Sequence, residues 1–221
     1  YTRTLTPADQ AAAQRQAGFV HNMWLDPILR GAYPESLLGR PEITAHVDKN
    51  YQEAIASHFT PVDYIGLNYY NPRVVGYAQG RLLDAEPAAP YEAQSDYGFT
   101  IYPQGLFDAI MDVAGRYDSP DIYITENGIG FDSTVRSEEE LLKDTGRIDY
   151  LREHLREVSR AILAGAKVKG YYYWAHFDTF ECRSGYRYCF GLNHVDRKTK
   201  QRHRTSAWLY YKNVIAAGMV N

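Results

Sequence analysis

Ile122-Tyr123-Ile124-Thr125-Glu126-Asn127-Gly128 reads as a strand that stops on a carboxylate. A run of β-branched and aromatic residues, too short for a helix, gives way to Glu-Asn-Gly, where turn-forming residues take over. A buried strand ending this way resembles a reactive group mounted on the rim of a rigid sheet, and a barrel of strands carries its chemistry at that C-terminal rim. Taken alone, Glu126 reads first as a charged residue that caps a strand or contacts a nearby turn. The rest of the chain decides between the two.

Upstream, Val62-Asp63-Tyr64-Ile65-Gly66-Leu67-Asn68-Tyr69-Tyr70 reads as another buried strand, and downstream Val168 to Trp174 as a third. Helices are expected between and around them. Pro103 opens one with Leu106, Ile110 and Val113 on one face. Ile148, Leu151, Leu155, Val158 and Ile162 step by three and four, and Gly165 stops that helix. Ser206 to Ala217, closed by Gly218, forms the last. Near the start, Thr6-Pro7-Ala8-Asp9 supplies a cap, a first-position proline and a first-turn acid. The helix that follows is expected to run to about Leu25 and end at Asp26-Pro27. Pro41 to Phe59 reads as a less regular helical region. Residues 71–100, rich in Gly, Pro and Ala, read as a long functional loop. Strands alternating with helices predict parallel βα units. Three convincing strands in 221 residues fall short of a (β/α)8 barrel, which takes roughly 250 residues. The chain is therefore expected to be part of a barrel, not a whole one.

Bulk properties narrow the chemistry. Hydrophobic content of 45%, charged content of 23% and a net charge of −3 suit an ordinary globular protein and give no reason to expect nucleic acid or an anionic membrane as partner. No apolar run approaches the roughly 20 residues that span a bilayer, and no secretory pattern opens the chain. Cys182 and Cys189 make neither a disulfide scaffold nor a zinc set, so reduced thiols and a cytoplasmic location are expected. The seven histidines are scattered without metal-ligand spacing, so neither metal nor cofactor is expected. Twenty tyrosines suit a pocket with flat, hydrogen-bonding walls.

Four ordered motifs go further: Asp63-Tyr64-Ile65-Gly66-Leu67-Asn68-Tyr69-Tyr70, Ile101-Tyr102-Pro103-Gln104-Gly105-Leu106, Ile124-Thr125-Glu126-Asn127-Gly128, and Gly170-Tyr171-Tyr172-Tyr173-Trp174 running on to Asp178-Thr179-Phe180-Glu181 and Phe190-Gly191-Leu192. Together with Trp24-Leu25-Asp26-Pro27 and Gly31-Ala32-Tyr33-Pro34, they resemble the C-terminal half of glycoside hydrolase family 1, the β-glucosidase family. The resemblance implies a (β/α)8 TIM barrel of which this chain supplies about the C-terminal half, strands 6 to 8 and their helices. It implies a retaining β-glycosidase in which Glu126 is the nucleophile, with a second carboxylic acid about 5 Å away to protonate the leaving oxygen. In the family that acid sits in an Asn-Glu-Pro motif, which this chain lacks; it would come from the N-terminal half of the barrel, in the same protein or a second chain.

By the same resemblance, Tyr70 positions the nucleophile, Asn68 lies near the sugar 2-hydroxyl, and Trp174 forms an apolar floor under the ring. Glu181 grips the 4- and 6-hydroxyls, Phe190 closes the pocket behind it, and Phe99 offers an outer-sugar platform. A carboxylate at Glu181 would repel a phosphate dianion, so an unphosphorylated β-linked sugar is the expected substrate. Cys182 stands where the family commonly has tryptophan, a lost contact worth on the order of 1–3 kcal/mol, which leaves glucose-versus-galactose preference open. Arg183 and Arg187 flank the pocket loop and either recruit an acidic sugar or are solvated. The rival reading is a non-catalytic, glycosidase-like chain that binds sugar or protein.

Overall fold

The computed structural model describes residues 1–48, 50–58, 61–89 and 93–220. They form two compact units, Tyr1–Asp63 with Pro72–Tyr91, and Tyr64–Asn71 with Glu92–Asn221.

In the first unit, helix α1 (Pro7–Ala17) starts where expected, with the Thr6 side chain accepting from the Asp9 N–H. Asp9 is almost fully buried and accepts the backbone N–H groups of Thr4 (2.9 Å) and Tyr77 (2.6 Å), so the first-turn acid also ties the helix to a hairpin. That hairpin pairs Val75–Tyr77 with Ala85–Pro87 antiparallel and corrects the reading of 71–100 as a loop. Gly, Pro and Ala averaged over the whole segment masked two three-residue strands.

The expected stop at Asp26-Pro27 is also corrected. A π-helical turn, Gly18–Asn22, leads into helix α2 (Met23–Arg30), which holds Pro27 inside and ends at Gly31 with φ 70°. The π turn interrupts the regular ladder just upstream of the proline ring, and left-handed Gly31 supplies the cap. Pro41 to Phe59 resolves into short helices Pro41–Thr44 and Tyr51–His58, preceded by Glu35–Leu38; Phe59 itself lies outside the described residues. An apolar cavity of about 380 Å³, lined by residues including Phe19, Met23, Trp24, Tyr33 and Leu37, lies within this unit and holds none of the predicted site residues.

The second unit is built on three parallel strands, β1 (Ile65–Asn68), β2 (Ile122–Asn127) and β3 (Val168–Tyr173), in the order β1-β2-β3. Helix α3 (Gln104–Arg116) lies in sequence between β1 and β2, helix α4 (Thr145–Leu163) between β2 and β3, and helix α5 (Ser206–Ala217) follows. Ile122 and Ile124 are wholly buried, as are Leu106 and Ile110 of α3 and Leu151 of α4. Each such side chain contributes about 1.5–3 kcal/mol by burial. Ile162, expected on the apolar stripe of α4, is half exposed; Ala161 takes the buried place.

The opposite face of the sheet is bare. Tyr64, Asn68, Thr125 and Tyr172 are exposed there, so the strands read as buried are covered on one face only. Tyr64 meets Tyr123 edge-on at 5.1 Å, and Tyr123 sits in register between Gly66 and Gly170. A Cβ on Gly170 would come within 2.8 Å of the Tyr123 ring, so the glycine makes room for it. Among the described residues β1 and β3 pair on one side only. No described helix is long and apolar enough to cross a membrane.

Candidate active site

Glu126 is the penultimate residue of β2, and its direction follows from a miscount between strands. Leu67 and Asn68 of β1 pair with Ile124 and Glu126, so β2 holds an extra residue there. The same excess appears against β3, where Ile124 pairs with Tyr171 and Asn127 with Tyr173. Ile124 and Asn127, three apart, thus both point into the covered side, and both are completely buried. Thr125 and Glu126 both point to the bare side. There the Thr125 hydroxyl donates to Asn68 Oδ1 (2.7 Å), and the Tyr70 hydroxyl donates to Glu126 Oε2 (2.9 Å). The bulge re-aims a side chain that strict alternation would have buried.

Burial, then the hydrogen bond to Glu126, push the Tyr70 hydroxyl far above the ordinary tyrosine range, with the Glu181 charge acting in the same sense. Tyr70 therefore remains a proton-bearing donor at any working pH. Phe99 packs on it at 5.6 Å and on Tyr97 at 4.8 Å, and Tyr97 also meets Tyr188 and Phe190 edge-on. Phe190 is buried behind this aromatic group. The segment bearing Tyr97 is fixed by Asp96, which pairs with Arg136 (2.9 Å) and accepts the Asp132 N–H (3.0 Å). Tyr97 and Asp96 were not singled out from the sequence; nothing in their spacing marks them.

Trp174 follows β3, its backbone N–H donating to the Asn127 carbonyl (3.0 Å), and the residue is 37% exposed. Gly128 is required beside it, since a Cβ there would lie 2.0 Å from the Trp174 carbonyl oxygen. Glu181 opens a tight turn closed by its own N–H to the Gly185 carbonyl (2.8 Å), and Cys182 is exposed on that turn. No described ion pair joins Glu181 to Arg183. Arg187 is held by Asp132 (2.5 Å), which engages one of the two loop arginines considered for an acidic sugar. Its neighbour Asp132 is pulled well below the usual carboxylate range by that bond.

Among the described residues one group brings metal-type ligand atoms together, Asp178, Cys189 and His194, within 4.8 Å. The Asp178 oxygens already accept from Gly191 N (2.8 Å), Val195 N (3.1 Å) and His194 Nδ1 (2.8 Å). Burial pushes Asp178 up, but these donors outweigh it and hold the carboxyl below its ordinary range. Burial and the Asp178 charge raise the Cys189 thiol to about 12. Arg147 donates to the Cys189 carbonyl and Arg197 to that of Asp178. With two guanidinium groups alongside and a protonated thiol, the group is a hydrogen-bonded tie between the Asp178 and His194 segments.

The family model described as glycosyl hydrolase family 1 matches residues 2–219. The chain is 36% identical over 209 residues to a 1,4-β-D-glucan glucohydrolase of Thermotoga neapolitana, covering 91% of this chain and 46% of that protein. It is 33% identical over 214 residues to β-glucosidase A of Thermotoga maritima, with the same two coverages. A solved family 1 β-glucosidase from Thermotoga maritima superposes with a TM-score of 0.90 at 30% identity, covering 100% of this chain and 49% of that one. The same figures hold for the Thermotoga maritima β-glucosidase in complex with deoxynojirimycin. The chain spans about half the length of the curated relatives it matches.

Proposed function

The chain belongs to glycosyl hydrolase family 1 and has part of its (β/α)8 barrel fold, and on that premise we propose that it supplies the C-terminal half of a retaining β-glucosidase, with Glu126 as nucleophile. The observation that carries the reading is the 2.9 Å hydrogen bond from Tyr70 to Glu126 on the bare face of the sheet. A carboxylate so held keeps one oxygen aimed and the other free to attack.

In this reading Glu126 bonds to C1 of a terminal β-linked sugar as the C1–O bond breaks, and a carboxylic acid outside this chain protonates the departing oxygen. Water, deprotonated by that same group, then displaces Glu126 and restores the anomeric configuration. Asn68 serves the 2-hydroxyl, Trp174 lies under the ring, and Glu181 binds the far hydroxyls and disfavours a phosphorylated sugar. Phe99, packed at a tilt against Tyr70, faces the outer sugar or aglycone. Residues 1–221 are then the C-terminal part of one catalytic domain. The N-terminal half of the barrel would pair with the open edges of β1 and β3 and cover the bare tyrosine face. Two free cysteines favour a reducing, cytoplasmic setting, where the enzyme would act in carbohydrate metabolism.

Trapping tests the reading. The complete enzyme is treated with a 2-deoxy-2-fluoro-β-glucoside bearing a good leaving group, digested, and weighed peptide by peptide. The fluoroglucosyl mass is expected on Glu126. A label on another carboxylate, or none, would overturn the assignment.

A further inference from the structure

The Glu126 bulge is locked from the covered side by the next residue. Asn127 is completely buried, and its side chain is held by three partners from three segments. Its Nδ2 donates to the Tyr69 carbonyl (2.7 Å) and the Tyr150 hydroxyl (2.9 Å). Its Oδ1 accepts from the Tyr171 hydroxyl (2.6 Å). The backbone on either side of the amide is pinned too, with the Glu126 carbonyl accepting Tyr69 N–H (2.9 Å) and the Asn127 carbonyl accepting Trp174 N–H (3.0 Å). Tyr150 stacks on His154 at 3.8 Å, and the Tyr171 ring meets the Tyr211 ring edge-on at 6.2 Å, so both phenols are themselves packed in place.

Without such a lock, a strand with one surplus residue has a competing register in which the ladder is regular and the carboxylate turns inward. Slipping by one residue swaps the faces of every side chain beyond the slip. Such a slip takes the amide out of its place and costs its three hydrogen bonds in a site closed to water. The specificity of the arrangement lies in the number of partners, since a hydrophobic residue at 127 would fill the space without fixing the register.

We infer that Asn127, clamped by Tyr150 and Tyr171, is a positioning residue that holds the β2 bulge and thereby the attack direction of Glu126. The inference rests on Glu126 being the nucleophile. It adds that the aim of the carboxylate is set by a buried amide network on the far side of the strand as well as by Tyr70.

The test compares the complete enzyme with Tyr171→Phe and Tyr150→Phe, each of which removes a hydroxyl and keeps a ring in the core. The 2-fluoroglucoside titrates active sites and gives the rate constant for labelling each titrated site. That constant is expected to fall about ten- to a hundredfold in both variants, with KM changed less than about twofold. Asn127→Ala should lower it similarly, and adding Tyr171→Phe to Asn127→Ala should cost little more, because both act through one bond. A purely structural role would reduce the number of titratable sites while leaving the constant per site unchanged, and that result overturns the inference. Failure of the parent enzyme to label at Glu126 would instead bring down the nucleophile assignment, and the positioning role with it.

Discussion

The phenolic oxygen of Tyr70 lies 2.9 Å from Oε2 of Glu126, joining the residue two places beyond the end of β1 to the penultimate residue of β2. The two sit at the C-terminal ends of neighbouring parallel strands, Tyr70 just past β1 and Glu126 within β2, so sheet geometry sets the pair. Its partner ring, Phe99, arrives on a separate segment and keeps Tyr70 from rotating away.

Tyr70→Phe should therefore lower kcat/KM for an aryl β-glucoside about 10- to 100-fold, the worth of one hydrogen bond to a charged group. Steady-state kinetics on the complete enzyme would measure it. A variant as fast as the parent would mean that Glu126 needs no donor at that oxygen.

Gly128→Ala should destabilise the fold by more than about 2 kcal/mol, because the new methyl has no room beside the Trp174 carbonyl. Urea unfolding provides the measurement. Wild-type stability would require that the two strand ends separate freely, contrary to the close approach described.

Cys182→Trp should lower KM for a β-glucoside, by up to about tenfold, by restoring an N–H donor and an aromatic wall on the exposed turn after Glu181. Comparing glucoside, galactoside and fucoside with both proteins would show whether the cysteine broadens sugar choice. An unchanged preference across the three would assign Cys182 no part in recognition.

His154 gives the chain a defined acid weakness. It is buried, its Nδ1 lies 2.8 Å from the Tyr150 carbonyl, and its Nε2 has no hydrogen-bond partner among the described residues. Burial lowers its pKa from 6.5 to about 4. Below 6.5 the unfolded chain takes up a proton that the folded chain refuses until about 4, so the stability that neutral His154 confers is full above that window and lost as pH falls through it. The loss is on the order of 3 kcal/mol. Asp144 acts in the opposite sense, since burial raises its carboxyl to about 6. The parent and His154→Phe share Asp144, so the difference between their melting temperatures isolates the histidine. That difference should move in favour of the phenylalanine variant from pH 6.5 to 4. A constant difference across the window would show that His154 is protonated in the fold.

Much of this was legible in the sequence for reasons that can be named. The three strands announced themselves because β-branched and aromatic runs break off at turn residues, and the end of Ser206–Ala217 was marked by Gly218. Glu126 and Tyr70 were found as motif positions, and the structure brings them together. What stayed hidden depends on partners distant in sequence. The bulge cannot be read from β2 alone, since it exists only relative to β1 and β3. The clamp on Asn127 uses Tyr150 and Tyr171, two of twenty tyrosines whose composition gives no address. The helix through Pro27 required a π turn that no residue pattern signals.

The surplus residue in β2 makes this corner of the protein sensitive to length in a way it is not sensitive to chemistry. Exchanging Thr125 for another small residue leaves the carboxylate on the bare face of the sheet, beside Tyr70. Losing a single codon there would turn it towards the core with every other side chain still present. Descent with variation should accordingly show free traffic of substitutions around this strand end and a near-total embargo on insertions and deletions.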